Sequence, residues 1–188
     1  VVQRSTTERV ASVLTVTVEG VFYRHAAPNR DAFAGGRSGR WGANFPVIYL
    51  GRPEAATAEA YRHLVDHTGV PARAVRPRTL YTVRVAVQRV LDLTVPDDLQ
   101  RVGLHADDLV TEIDDYDRCQ EVAAAAHQLG YHGVLAPAAH GLGQTLAVFR
   151  ERISHRELPA IERQIVWNGL PPDPRLPRGL PTRRERGA

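Results

Sequence analysis

Three short stretches in the first third of the chain carry residue types that could do chemistry together. They are Tyr23-Arg24, then Gly39-Arg40-Trp41 with Tyr49 close behind, and then Glu59. Guanidinium groups grip phosphate oxygens in a planar, two-pronged way, so Arg24 and Arg40 from separate segments could clamp a pyrophosphate. A carboxylate such as Glu59 favours the positive charge that builds on a ribose when its glycosidic bond breaks. Tyr23, Trp41 and Tyr49 could wall a pocket for a cationic ring, a stacking worth about 0.5–2 kcal/mol. The combination suits an anionic ligand that also carries a cationic aromatic ring. Nicotinamide dinucleotide is such a ligand, and a carboxylate beside it points to breaking the molecule rather than borrowing it.

Each residue also has a plainer reading. The arginines could be ordinary surface or salt-bridged groups. Glu59 could be a solvated helix glutamate paired with Arg62 or His63, and the rings could be core. Trp41, set among glycines, is the least convincing of the three as core. Other chemistries have less support. The eight histidines form no H-E-x-x-H and no convincing ligand pair, so no metal is expected. His25, His63 and His140 read as surface or hydrogen-bonded residues. Ser5, Ser12, Ser38 and Ser154 sit in no nucleophile-elbow context. Cys119 falls on an apolar helix stripe and reads as a buried structural thiol. The acidic stretch Asp107-Asp108, Glu112, Asp114, Asp115 and Asp117 lacks calcium-loop spacing and reads as solvated.

The elements that must position these groups are partly legible. Leu14, Val16 and Val18 alternate with Thr15 and Thr17, predicting a short strand, with Gly20 to Tyr23 as a second beyond Glu19-Gly20. Ala26 to Gly42 is a long turn-rich connection through Pro28, Asn29, Gly35, Gly36 and Gly39. Phe45 to Leu50 reads as a buried strand. Pro53 suits a first helical turn. Ala56, Ala60 and Leu64 then recur at helical spacing, which puts Glu59 at the edge of a buried face, with Gly69 as the stop. Leu80 to Val87 alternates as a strand, and Leu91 to Thr94 extends the sheet. Pro96 to Val102 reads as a short helix and Tyr116 to Leu129 as a longer one ended by Gly130. Gly133 to Pro137 and Thr145 to Phe149 are strands joined by a turn at His140 to Gly143. Ile153 to Trp167 is open between helix and strand.

Strands with few helices, in no regular alternation, predict an α+β fold with a mixed sheet. No G-x-G-x-x-G follows a strand and there is no P-loop, so a dinucleotide would be held without either cradle. With 188 residues, 43% hydrophobic and 24% charged, the chain has the makings of one core. The expected organisation is one domain over residues 1–167 and a Pro- and Arg-rich tail over 168–188, expected to be disordered. The tail holds Arg175, Arg178, Arg183, Arg184 and Arg186 against Asp173 and Glu185, so the net charge of +3 resides there. A balanced body argues against a large nucleic-acid footprint. No run is long and apolar enough for a membrane span, and Val1 to Arg9 has no signal-like apolar core, so a cytoplasmic location is expected.

The ordered array resembles the RES-domain toxin family. The likeness is carried by Phe22-Tyr23-Arg24, by Ser38-Gly39-Arg40-Trp41 followed by Phe45-Pro46-Val47-Ile48-Tyr49-Leu50, and by Ala58-Glu59-Ala60. Cys119-Gln120 and Gly133-Val134-Leu135-Ala136-Pro137-Ala138-Ala139 complete it, so that it spans roughly Glu19 to Arg150. The resemblance implies an ADP-ribosyltransferase-like fold and a toxin of a bacterial toxin–antitoxin pair. It implies NAD+ as substrate, with inorganic phosphate or water as acceptor, and a small helix-turn-helix antitoxin as partner. A homo-oligomer is compatible with it. By resemblance, Arg24 and Arg40 hold phosphates, Glu59 assists bond cleavage, and Tyr23, Trp41 and Tyr49 frame the nicotinamide. Two alternatives are an ADP-ribosyltransferase acting on a protein and a non-catalytic interaction protein working through its basic tail. Ala138 stands where the family has Ser, and Asn44 is the candidate for the Asn usual after the Trp.

Overall fold

Strand β1 (Thr15–Ala26) runs straight through Glu19-Gly20, where the sequence suggested a break between two strands. Gly20 takes φ +128°, and the ladder to the neighbouring strand shifts register between Val16 and Val18. An irregularity of this kind bends a strand without ending it. Leu14, counted with the first strand's apolar face, lies just outside β1 and is exposed. The computed structural model describes residues 4–28, 30–111 and 115–176. The expectations for Val1 to Gln3, Asn29, Glu112, Asp114 and residues 177–188 lie outside the described residues.

Strand β2 (Val47–Gly51) follows the turn-rich connection, and Pro53 opens α2 (Pro53–Tyr61) as its first helical residue. The helix continues into a π-helical turn, Arg62–Asp66. The two predicted strands across Leu80 to Thr94 are a single long β3 (Arg78–Asp92). Then come α3 (Pro96–Arg101), α4 (Asp117–Gln128), β4 (Gly133–Pro137) and β5 (Gln144–Phe149). The ambiguous stretch after Ile153 resolves into a 3-10 turn and β6 (Ala160–Trp167). One α-helix is absent from the sequence expectations. The helix α1 (Thr6–Ala11) is capped by Ser5, whose side chain accepts the Glu8 N–H while Glu8 reaches back to the Ser5 N–H. That reciprocal pair is a capping box, and its S-x-x-E spacing was present in the sequence.

The strands pair in the order β1-β2-β5-β4-β3-β6. An added β1–β3 ladder, from Thr15↔Leu91 to Ala26↔Thr79, closes the first five into a ring. The seam between β1 and β2 is the pair Tyr23↔Gly51. Only β3–β4 is parallel, so the sheet is mixed as predicted. Phe22, Ile48, Leu50, Val83, Leu146 and Val148 fill the space between the faces of the closed sheet. A second core packs α4 against the sheet through Cys119, Val122, Ala123 and Ala126, with Val10 of α1 and Leu93. No helix among the described residues is long and apolar enough to cross a membrane.

Candidate active site

A cavity of about 380 Å³ opens where β1 and β2 diverge beside α2. That volume lies within the range of small-molecule sites. Tyr23, Arg24, Arg40, Trp41, Tyr49 and Glu59 all line it. Groups drawn from β1, the long connection, β2 and α2 therefore meet around one hollow. The reason is local. Tyr23 sits at the seam pair with Gly51, which brings the end of β1 against the start of α2. Glu59 shares α2 with Ala55, Ala56, Ala58 and Ala60, all buried, so the helix lies close to the sheet and its carboxylate reaches the cavity.

Glu59 is not free of the partners the plainer reading gave it. Its carboxylate takes the His63 ring at 2.6 Å and lies 3.6 Å from Arg62. Both readings hold at once, because the same carboxylate is half-buried and lines the cavity. Burial alone would raise its pKa. The His63 hydrogen bond, with the charges of His63, Arg62 and His140, outweighs burial and leaves the carboxyl below its ordinary value. An ionised carboxylate therefore faces the hollow at neutral pH.

The two predicted arginines differ sharply. Arg24 donates from Nη1 to the Tyr49 carbonyl at 2.9 Å, while its Nε is buried with no partner among the described residues. Arg40 is 8% exposed and its terminal nitrogens are committed. They donate to the Asp108 carbonyl (2.6 Å), the Thr111 hydroxyl (2.8 Å) and the Thr111 carbonyl (3.0 Å). Its guanidinium also lies over the Tyr116 ring, 4.5 Å from the centroid. Arg62 reaches the same segment, donating to the Thr111 carbonyl and the Tyr116 hydroxyl, each at 3.1 Å. Arg40 thus fastens the segment before α4 to the cavity wall. Both guanidinium groups line the cavity, but Arg40 spends its terminal donors on the Asp108–Thr111 segment while Arg24 spends one on Tyr49.

Trp41 lines the cavity and is core at the same time. It is 2% exposed and belongs to the core under α4. Its backbone N–H donates to the Tyr49 hydroxyl at 3.0 Å, and burial pushes the Tyr49 phenol's pKa upward. Gln120 donates to the Gly39 carbonyl at 3.0 Å, which gives the Cys119-Gln120 pair its physical meaning. The thiol is buried and its pKa raised to about 11, chiefly by burial, as an inert structural thiol requires. Ala138 is 2% exposed and is not part of the cavity wall, although Pro137 and Ala139 are. Asn44 is likewise outside the wall, with φ +71° and its carbonyl accepting Arg37. The proposed substitute for the family Asn is therefore not supported.

Further cavity residues outside the predicted set include Arg78, His25 and Tyr116. Of the two readings the sequence allows for His25, surface or hydrogen-bonded, the structure shows the second. Its Nδ1 lies 3.3 Å from the Arg78 Nη2, its ring stacks on Trp167 at 6.4 Å, and burial with the charges of Arg78 and Arg24 lowers its pKa to about 3. A cross-strand relation between β1 and the start of β3 would have found His25 and Arg78, but no local spacing carries it. Among the described residues no group of three or more His, Cys, Asp or Glu side chains could hold a metal ion.

A mixed α+β sheet whose opening gathers arginines, tyrosines and a helix carboxylate defines the class. The RES domain profile matches residues 15–168, and the chain belongs to the RES-domain family. Among its relatives are proteins of Mycobacterium bovis and Mycobacterium tuberculosis named NAD(+) phosphorylase MbcT. Each is 32% identical over 157 residues, covering 77% of this chain and 81% of the relative. The fold is similar to a chain in the crystal structure of the M. tuberculosis MbcT–MbcA toxin–antitoxin complex. The TM-score is 0.76 at 29% identity, over 89% of this chain and 94% of the other.

Proposed function

We propose that this chain is an NAD+-degrading toxin that cleaves the nicotinamide–ribose bond and passes ADP-ribose to inorganic phosphate or water. The observation that carries the reading is the convergence of Tyr23, Arg24, Tyr49 and Glu59 on one cavity. Glu59 stabilises the oxocarbenium-like ribose as nicotinamide leaves, because a carboxylate kept ionised in a half-buried cleft interacts strongly with developing positive charge. Tyr23 and Tyr49 frame the departing ring. Arg24 holds a phosphate oxygen with the donors it does not spend on Tyr49. Arg40 acts indirectly, as a positioning residue for Tyr116 and the Thr111 segment. The acceptor approaches the ribose from the face left open to the cavity mouth.

The relatives named as NAD(+) phosphorylases favour phosphate over water as acceptor. The toxin–antitoxin neighbour favours an antitoxin partner, which we infer to be a small helix-turn-helix protein that blocks the cleft. We assign residues 1–167 to the catalytic domain, an ADP-ribosyltransferase-like RES fold acting in the bacterial cytoplasm. The test is NAD+ loss after mixing with pure protein, with and without phosphate. Phosphate-dependent loss with a phosphorylated ADP-ribose product is the expected result. Undiminished NAD+ in both mixtures refutes the reading, and label left on a polypeptide reassigns the acceptor to protein.

A further inference from the structure

We infer that Arg24, Arg78 and His25 build an oxyanion pocket inside the cavity, occupied by a phosphate group that both guanidinium planes grip. The inference deepens the NAD+ reading and rests on it for the identity of the ligand. Four observations lead to it. Both arginines line the cavity. Each has an Nε that is buried and without a hydrogen-bond partner among the described residues. Neither makes an ion pair with a described carboxylate, whereas Arg62, Arg84, Arg101, Arg118 and Arg175 do. They come from adjacent strands, Arg24 within the β1–β3 ladder and Arg78 at the start of β3.

Two guanidinium groups at one cavity, neither ion-paired with a described carboxylate, repel each other. Burial and the charge of Arg78 both depress the Arg24 pKa, and burial with the charge of Arg30 depresses that of Arg78. Asp31 opposes this for Arg24, but its oxygen is engaged by the Phe33 N–H. Among the described residues Arg24 Nη2 and Arg78 Nη1 make no hydrogen bond, and two such cations at one cavity call for an anion with several acceptor oxygens, which a tetrahedral phosphate offers. His25 aims the fork. Its Nδ1 accepts from the Arg78 Nη2 at 3.3 Å, which leaves Nη1, on the other edge of that guanidinium, to the ligand. Because burial keeps the ring uncharged, it orients Arg78 without repelling it further.

Phosphate oxygens could come from two sources here, the inorganic acceptor or the diphosphate of the dinucleotide. The experiment titrates inorganic phosphate and ADP-ribose separately into the full chain by calorimetry, for the parent, Arg78→Gln, Arg78→Lys and Arg163→Gln. Arg78→Gln should weaken at least one probe by about 10–100-fold, the worth of a charge-assisted pair of hydrogen bonds. Loss for inorganic phosphate alone assigns the acceptor, and loss for ADP-ribose alone assigns the diphosphate. Arg78→Lys keeps the charge without the fork and should fall between. Arg163, exposed on β6, should have no effect. A folded Arg78→Gln chain that binds both probes like the parent overturns the inference, as does an equal loss in Arg163→Gln. Should Arg78→Gln not fold, the parent decides: the Nε–H resonances of Arg24 and Arg78 must shift as a probe is added, and unmoved resonances reject the pocket. These are binding readouts. A chain that binds phosphate through Arg78 but never consumes NAD+ would sink the proposed function and leave the pocket standing.

Discussion

The Tyr49 hydroxyl accepts the backbone N–H of Trp41 at 3.0 Å, tying strand β2 to the glycine-rich connection across the mouth of the cavity. The bond is possible because Gly39, two residues before Trp41, has no side chain. Its φ is +110°, and a Cβ there would lie 2.8 Å from the Tyr49 oxygen. Gly39→Ala should therefore cost about 1–3 kcal/mol through backbone strain and a displaced Tyr49. A thermal melt checks it, and an unchanged Tm would mean that the connection relaxes freely.

Glu59→Gln keeps the shape of the side chain and removes its charge. NAD+ consumption should fall by about 100-fold or more, as when a preorganised electrostatic group is lost from a transition state. Circular dichroism should stay at the parent spectrum. Parent-rate turnover would remove Glu59 from the mechanism.

Arg40→Gln strips donors from the Asp108 and Thr111 acceptors and the cation from the Tyr116 ring. The expected cost is about 2–4 kcal/mol of stability. Because Arg40 works through the wall, substrate affinity should weaken along with stability, and antitoxin-free protein should show a lower Tm before any activity is measured. A variant with parent Tm but no activity would instead mark Arg40 as a direct ligand of substrate.

Glu157 gives the clearest pH signature. Its side chain is 11% exposed and accepts from the Ser154 N–H, the Gln88 N–H and His132. Burial opposes ionisation, but those hydrogen bonds win and hold the pKa near 2, against an ordinary 4.5. The folded pKa is the lower one, so the stabilisation is complete above about pH 4.5 and drains away as pH falls towards 2. Glu157→Gln should lose about 1–3 kcal/mol at pH 7 and show a flatter acid limb in denaturant melts. Parallel acid limbs for parent and variant would contradict this.

The start of the tail behaves differently from expectation over residues 168–176. The Tyr61 hydroxyl donates to the Pro171 carbonyl at 2.7 Å, and Arg175 pairs with Asp66 and Asp173. These contacts fall on Tyr61 and Asp66, which do not line the cavity, although Arg62, His63 and Leu64 between them do. Chain ending at Trp167 should thus retain NAD+ turnover within about threefold and melt a few degrees lower, through the loss of the Tyr61 hydrogen bond and the partly buried Arg175 contacts. Lost turnover would make the tail part of the active unit.

Period and punctuation in the sequence reached most of the elements. Pro53 and Gly130 marked helix ends, and the Leu80 to Val87 alternation marked β3. Glu19-Gly20 misled because a glycine in a strand interior can mark a bulge as well as a turn. The site was legible where it depended on residue type and failed where it depended on what a side chain had already bonded. Arg24 and Arg40 look alike in a sequence, yet Thr111, some seventy positions from Arg40, decides that the latter is committed. Arg78 was invisible for the same reason, since only the β1–β3 pairing brings it beside Arg24.

The buried imidazole of His25 has one more consequence. Its pKa near 3 leaves arginine as the source of cationic charge at that end of the hollow, and arginine does not discharge at any acidity a living cell experiences. The protein's share of the attraction exerted there on an oxyanion should be indifferent to acid stress, so any proton dependence of that attraction comes from the oxyanion's own ionisation.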